Sequence, residues 1–187
     1  MARDFYQLFE TAAGIAAIGW NGVGVTSFRL PAPDARESER SLLNRLPGAA
    51  RAAPPPEVRA VIDMAIRYFA GDRIDFTGVP VDPAVQDPAF AGIYRLVRAL
   101  GWGETTTYGA VAQALGHGPE YARDVGQAMA RNPVPLIVPC HRVTAAGGRI
   151  GGFSAPGGSQ SKAAMLELEG VVSPPAAEAP AQRGFEF

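Results

Sequence analysis

The sequence predicts a mixed α/β protein. It has a small N-terminal lobe with an antiparallel sheet and a helix, followed by a helical C-terminal lobe with a winged-helix-like helix-turn-helix. Three observations predict this class. Apolar segments flank an Asn21-Gly22 turn signal within the first thirty residues. Apolar residues recur at the 3.6-residue period over residues 58–69. Two short helical segments flank the glycine-containing turn His117-Gly118-Pro119.

The first thirty residues are predicted to be strands. Gly14–Trp20 is apolar and rich in small residues, and Val23–Leu30 returns after the turn. A polar, proline-dotted segment follows, in which Ser38–Leu46 is predicted to form a short surface helix.

A longer helix is predicted to begin at Pro54-Pro55-Pro56, because proline suits the first helical turn and Glu57 complements the helix dipole there. Gly71-Asp72 ends it, and Ile74–Val81 is a further predicted strand. The apolar face of this helix is predicted to consist of Val58, Val61, Ile62, Ala65, Ile66 and Phe69.

Val81-Asp82-Pro83 is the predicted linker between the lobes. It divides the chain into an N-terminal lobe of residues 1–82, a second lobe of residues 83–170 and a frayed tail of residues 171–187. Several elements are predicted in the second lobe. They are a helix opened by Asp87-Pro88 with the stripe Phe90, Ile93, Tyr94, Val97 and Leu100; helices over Thr107–Gly116 and Glu120–Arg131; an extended segment, Pro133–Cys140; a glycine-rich loop, Gly147–Gly158; and a closing helix, Lys162–Leu168.

Composition excludes several classes of protein. The chain has 187 residues, of which 47% are hydrophobic and 19% charged, so it can bury a core. One cysteine and two histidines leave no material for a disulfide or a multi-thiolate zinc site, so we expect no metal and no cofactor. The sequence contains no run of 18 apolar residues that would predict a membrane span, and the N-terminus lacks a secretory signature, so we expect a cytoplasmic protein. We also expect it to be a monomer.

The sharpest chemical feature is the thiol of Cys140 directly before the imidazole of His141. A thiol reacts as thiolate, and a neighbouring imidazole can accept its proton directly or through water. The preceding Pro139 favours extended backbone and would fix the direction of the thiol. Taken alone, such a pair is more often a buried structural cysteine, so context decides.

That context is supplied by a resemblance. The run Arg131–Val143 (RNPVPLIVPCHRV) resembles the active-site segment of the O6-alkylguanine-DNA alkyltransferases, the methylated-DNA–protein-cysteine methyltransferases. The likeness extends through Gly103–Gly109, Ala122–Met129, Gly152–Ser154 and Leu166–Gly170. It covers about Phe90 to Gly170 well and is weaker over residues 1–80.

The resemblance implies repair of O6-alkylguanine in double-stranded DNA by direct displacement of the alkyl group onto Cys140. His141 would take the cysteine proton through a water, and Glu169 would orient the imidazole. Tyr108 would donate a proton toward N3 of the leaving base. A thioether is not readily displaced, so each molecule would react once.

The resemblance also implies a substrate pocket. The carbonyl groups of Cys140 and Val143 would accept from the exocyclic amine of guanine, and the Ser154 amide would donate toward O6. Met129, Pro135 and Phe153 would wall the pocket, and Asn132 would form the hinge that ties the second helix of the helix-turn-helix to the reactive segment.

The same family relation predicts how DNA is held. Arg123 corresponds to the arginine finger that fills the gap left by the flipped nucleotide. Ala122 and Gly126 are small enough for close approach to a minor groove, and Thr107 lies at the predicted DNA surface. From Phe90 to Gly170 the formal charge is +2, against −3 for the remainder of the chain, so we expect weak, salt-sensitive DNA binding.

Some features depart from the family pattern. Phe153 stands where many members have tyrosine, the glycine-rich loop and the turn at His117–Pro119 are slightly longer, and the first lobe has no cysteine for the zinc site of some relatives. Two other functions stay open at this point: a DNA-binding regulator that uses only the helix-turn-helix, and a cysteine hydrolase.

Overall fold

The computed structural model describes residues 3–171. Its N-terminal part contains a four-stranded sheet in the order β3-β2-β1-β4, with β1 (Phe5–Thr11), β2 (Gly14–Trp20), β3 (Val25–Ala32) and β4 (Ala50–Arg51). The first three strands are antiparallel and β4 runs parallel to β1. The predicted antiparallel sheet is therefore confirmed, with an additional strand before Gly14.

The two hairpins use different turns. Thr11 pairs with Gly14 across Ala12 and Ala13, and Gly14 has a φ of 125°, a conformation that favours glycine. The second turn covers residues 21–24, in which the Asn21 side chain accepts from the amide of Val23 at 2.8 Å. The turn at Asn21-Gly22 is thus present, but it has four residues instead of two.

Helix α1 (Ala35–Arg45) begins before the predicted Ser38 because Asp34 caps it and accepts from the amide of Glu37 at 2.8 Å. Helix α2 (Pro56–Phe69) lies where it was predicted. Its core face differs in one respect, since Ile66 is 37% exposed whereas Tyr68 is fully buried.

The predicted strand Ile74–Val81 is wrong. Asp75 accepts from the amide of Thr77, and only Val81 forms an isolated bridge, with Val25. A side-chain turn at Asp75, together with Gly78 and Pro80, competes with strand pairing over this segment.

The C-terminal part is mainly helical. A 3₁₀ turn over Pro88–Phe90 precedes the first helix of this part, and the closing helix begins four residues before the predicted Lys162. The elements are α3 (Ala91–Arg98), β5 (Thr106–Thr107), α4 (Tyr108–Ala114), α5 (Ala122–Arg131), β6 (Val143–Thr144) and α6 (Gly158–Leu168), with β5 parallel to β6. Helices α4 and α5 pack against each other, which is consistent with the predicted helix-turn-helix.

One hydrophobic cluster runs through both parts of the chain, from Phe28 in β3 to Val138 beside the reactive segment. The boundary at residues 82 and 83 stays a prediction. The predicted tail, residues 171–187, lies outside the described residues except for Val171. Within residues 3–171 no helix is long and apolar enough to cross a membrane.

Candidate active site

The segment that leads to the thiol is held by hydrogen bonds from both sides. Asn132 ends α5, donates from Nδ2 to the Val138 carbonyl at 2.8 Å and accepts from the Val134 amide at 3.1 Å. The Phe28 amide of β3 donates to the Pro133 carbonyl at 3.0 Å. Leu136 is buried at a φ of 76°, an uncommon conformation for a residue with a side chain. The backbone before Cys140 is therefore constrained by its own turn and by the first lobe.

Cys140 begins a 3₁₀ turn over Cys140–Arg142 and is 4% exposed. Burial raises the pKa of its thiol, whereas the side chain of Asn132 and the positive charges of Lys162 and Arg29 act in the opposite direction. The thiol is therefore protonated at neutral pH, although Asn132, Lys162 and Arg29 stabilise the thiolate once the proton is removed.

Cys140 lines two cavities. The larger, of about 390 Å³, lies toward α5, and six of the fourteen predicted site residues line it. It is lined by Tyr108, Gly126, Met129, Ala130, Cys140, Gly152, Phe153, Ser154 and Lys162. The smaller, of about 100 Å³, extends from Cys140 toward the first lobe and includes Asn132 and Pro135. Val143 lines neither cavity.

His141 and Glu169 form a fully buried pair, with 2.7 Å between Nε2 and Oε1. Glu169 also accepts from the Tyr68 hydroxyl at 2.7 Å and from the Gly103 amide at 3.1 Å. Arg142 approaches the same carboxylate through Nε and Nη2, each at 2.9 Å. One carboxylate at the end of α6 therefore binds side chains from α2 and the reactive turn, and the backbone amide of Gly103.

The charges of this pair follow from its surroundings. Burial lowers the pKa of His141, and Glu169 only partly opposes that effect. Burial alone would raise the pKa of Glu169, but hydrogen bonds from His141, Arg142 and Tyr68 hold it far below its usual value. At neutral pH the site therefore holds a carboxylate and a neutral imidazole. With the imidazole proton on Nε2 toward Glu169, Nδ1 is the acceptor, and it has no partner among the described residues.

Lys162 connects the reactive turn with Tyr108. Its Nζ donates to the Val143 carbonyl at 2.6 Å and to the Tyr108 hydroxyl at 3.3 Å. It also lies 5.7 Å from the centre of the Phe153 ring. Burial lowers the pKa of Lys162 to about 8. One lone pair of the Val143 carbonyl oxygen therefore already accepts from Lys162. Within residues 3–171 the other lone pair is free for the predicted hydrogen bond from guanine.

The first two turns of α5 carry three of the four predicted DNA residues. The Arg123 side chain is exposed and makes no hydrogen bond or ion pair with other residues in the range 3–171. Ala122 and Gly126 lie on one face, and a Cβ atom at Gly126 would meet no atom within 4 Å. Thr107 caps α4 by accepting from the Ala110 amide at 3.1 Å.

Three further predicted pocket residues line the cavities at Cys140. Met129 and Phe153 line both cavities, as does Ser154, whose hydroxyl donates to the Ala130 carbonyl at 3.2 Å. The structure thus brings Cys140, Tyr108, Met129, Phe153 and Ser154 together. His141 and Glu169 are buried away from solvent and line neither cavity.

Sequence reasoning missed three side chains of the site. Tyr68 belongs to a helix for which the sequence predicts only core packing. Arg29 lies in a strand of the first lobe, and Lys162 is predicted only as the first residue of an amphipathic helix. Only Lys162 carried a signal, since it is the single lysine of the chain. Arg142, expected to be structural, binds Glu169. Within residues 3–171 no group of three His, Cys, Asp or Glu side chains could hold a metal ion.

Known proteins are similar to this chain in sequence and in fold. Residues 88–171 match the family described as 6-O-methylguanine DNA methyltransferase, DNA binding domain. A methylated-DNA–protein-cysteine methyltransferase from Metallosphaera sedula is 42% identical over 104 residues, which are 55% of this chain and 62% of that protein. One from Mycobacterium bovis is 32% identical over 165 residues, which are 88% of this chain and 91% of that protein.

A solved structure agrees along most of the chain. The structure of Mycobacterium tuberculosis OGT in complex with DNA superposes with a TM-score of 0.70 at 28% identity, and covers 88% of this chain and 92% of that one. The fold and the site define a mixed α/β protein with a buried cysteine beside a histidine–glutamate pair. The chain belongs to the methylated-DNA–protein-cysteine methyltransferase family.

Proposed function

We propose that this protein repairs O6-alkylguanine in double-stranded DNA by transferring the alkyl group irreversibly to Cys140. One observation carries the proposal: Cys140 lines the cavity that also contains Tyr108 and Lys162, and the next residue, His141, is paired with the buried carboxylate of Glu169. The family relation supports the substrate, because the relatives named above are methyltransferases of methylated DNA.

The reaction begins with removal of the thiol proton. His141 accepts it at Nδ1, directly or through a bridging water, and Glu169 stabilises the imidazolium that forms. Lys162 and Arg29 contribute positive charge that favours the thiolate. Cys140 is the catalytic nucleophile, and Glu169, Tyr68 and Arg142 act as positioning residues through the imidazole.

The thiolate then attacks the alkyl carbon. A sulfur–carbon bond forms, the bond between that carbon and O6 breaks, and its electron pair goes to the base. Tyr108 donates a proton toward N3, so the base leaves as neutral guanine, and Lys162 holds the tyrosine hydroxyl in place. The thioether product is not readily displaced, so the protein reacts once.

DNA is proposed to approach along α5. The exposed Arg123 fills the space left by the flipped nucleotide, Ala122 and Gly126 allow close approach of the backbone, and Thr107 lies at the edge of this surface. Met129, Pro135, Phe153 and Ser154 form the pocket around the base and its substituent. Asn132 is the hinge that holds the segment before Cys140, and the free lone pair of the Val143 carbonyl accepts from the exocyclic amine of guanine. We further propose that residues 83–170 form the DNA-binding lobe, that residues 1–82 support it, and that the protein acts as a monomer in the cytoplasm.

The test is incubation with duplex DNA containing O6-methylguanine, followed by intact-mass and peptide analysis. We expect a mass gain of one methylene group on the peptide containing Cys140 and loss of one equivalent of lesion. Cys140→Ser is the matched control. Unmodified protein with fully retained lesion would falsify the proposal, and continuous turnover on an acyl substrate would favour a cysteine hydrolase instead.

A further inference from the structure

The smaller cavity at Cys140 has a positively charged wall supplied by the first lobe. Arg29 from β3 and Arg45 from the last turn of α1 line it, together with the hydroxyl-bearing Ser41. No aspartate or glutamate is among the residues that line this cavity. Its other side includes Cys140 and Pro135, so the charged wall faces the space next to the nucleophile.

The guanidinium group of Arg29 uses only part of its hydrogen-bonding capacity within the described residues. Its Nη2 donates to the Pro133 carbonyl at 3.0 Å, whereas its Nε is buried without a hydrogen-bond partner among the described residues. A buried, unpaired donor on a charged group is costly, and an acceptor would stabilise it. Burial, with a smaller contribution from the neighbouring Arg45, lowers the pKa of Arg29 to about 10, so it remains charged at neutral pH.

Two like charges that share a cavity without an acidic partner favour an anion between them. The larger cavity on the α5 side contains Tyr108 and Lys162 and is the space proposed above for the base. In an in-line displacement the sulfur, the attacked carbon and O6 lie on one axis, so the remainder of a substituent longer than methyl extends sideways from that axis into the space beside Cys140. The smaller cavity is a space beside Cys140 that adjoins the larger one, since both are lined by Met129, Ala130, Cys140, Phe153 and Ser154, and its lining also includes the two arginines.

We propose that this cavity selects O6 substituents that carry a negative charge, namely short carboxyalkyl groups, through Arg29 and Arg45. The inference rests on the proposed function and assigns its substrate class. The Cys140 thiolate attacks the methylene carbon, the bond to O6 breaks with its electron pair passing to the base, and the carboxylate keeps its charge. The product is an S-carboxyalkyl cysteine whose carboxylate lies beside the guanidinium groups.

The experiment compares two substituents of the same shape on the same duplex: carboxymethyl, which is anionic, and carbamoylmethyl, which is neutral. Second-order rate constants for modification of Cys140 are measured by intact mass, with O6-methylguanine as a reference for each protein. The quantity of interest is the carboxymethyl-to-carbamoylmethyl rate ratio. Because both rates come from the same protein sample, any loss of folded protein cancels.

We expect Arg29→Met to lower this ratio about tenfold, the effect of losing one charged hydrogen bond. Arg29→Lys should keep part of the ratio because it keeps the charge. Arg45→Gln should lower the ratio severalfold, less than Arg29→Met, because Arg45 is exposed and screened by solvent. Arg40→Gln is the matched control, an exposed arginine on α1 outside the cavity lining, and should leave the ratio unchanged.

Equal ratios in the wild-type protein, Arg29→Met and Arg45→Gln would overturn the inference. If Arg29→Met does not fold, Arg45→Gln decides the question alone. A wild-type protein that removes methyl from O6-methylguanine but shows no charge-dependent ratio overturns this inference and leaves the proposed function intact. A wild-type protein that does not react with O6-methylguanine overturns both.

Discussion

The Nε2 atom of His141 lies 2.7 Å from Oε1 of Glu169, and neither side chain is exposed to solvent. The carboxylate also receives the Tyr68 hydroxyl and the Arg142 guanidinium, so the imidazole is held by a buried network and not by a single contact. The orientation of the ring and the stability of this region of the fold therefore depend on the same carboxylate.

Glu169→Gln tests this dependence. The change leaves Arg142 buried without its counter-charge, so the free energy of unfolding should fall by about 3–5 kcal/mol. Alkylation of Cys140 should also slow, because the imidazolium loses its stabilising charge. Urea denaturation and single-turnover rates measure the two effects. The double variant Glu169→Gln/Arg142→Met should regain part of the stability; a single variant as stable as wild type would contradict the network.

Stability should fall as pH decreases below about 6.5. Burial lowers the pKa of His141 in the folded protein, so the unfolded chain takes up the proton first and acid favours unfolding. Each unit by which folding lowers this pKa corresponds to about 1.4 kcal/mol. Below about 4.5, protonation of Glu169 in the unfolded chain adds to the loss, because folding lowers its pKa too. Denaturation between pH 5 and 8 measures the effect of His141.

His141→Gln is the control for that profile, since its amide can still donate to Glu169 but does not titrate. It should lose less stability than wild type between pH 7 and pH 5. Parallel curves for the two proteins would show that His141 is not the group responsible.

Lys162→Met should raise the pKa of the Cys140 thiol and slow its alkylation near neutral pH. The lysine contributes positive charge that favours the thiolate and holds the carbonyl of Val143. If the pKa rises by one unit, the thiolate fraction falls about tenfold. The rate of reaction with iodoacetamide across pH 6–10 reports this pKa without any DNA. An unshifted profile in a folded variant would remove Lys162 from the role proposed here.

Arg123→Ala should leave stability unchanged, because the side chain is exposed and has no partner in the described part of the chain. Repair of duplex DNA should slow by about tenfold or more, since the flipped nucleotide loses the group that replaces it in the stack. Reaction with free O6-methylguanine base should stay nearly constant. Arg59→Ala, an exposed arginine of α2, is the charge-matched control; equal losses on duplex and free base would argue against the finger role.

Alkylation itself should destabilise the fold. Cys140 is 4% exposed, and a methyl group on its sulfur must fit between the constrained segment before it and the Met129 and Phe153 side chains, which line both cavities. Extra atoms in a packed site cost about 1–3 kcal/mol. The melting temperature of methylated protein should therefore be lower than that of free protein, whereas Cys140→Ser treated with the same DNA should not change. An identical melting temperature in modified and unmodified protein would contradict this.

The elements that sequence predicted well are those defined by neighbouring residues. The periodic face of α2 and the turn at Asn21 depend on contacts within a few positions, and both are present. The wrong strand over residues 74–81 shows the limit of such reasoning. Its apolar residues are typical of a strand, but Asp75 binds the backbone two residues on, and only Val81 meets β3.

The sequence by itself determined the chemistry: one thiol, the imidazole beside it, and the motif around them that identifies the family. Only the tertiary structure decided the electrostatic surroundings of that thiol, with Tyr68 from α2, Lys162 from α6 and Arg29 from β3 converging on it or on its partners. Charge and burial at a point in space are sums over groups distant along the chain, and local sequence contains no record of which of those groups will meet.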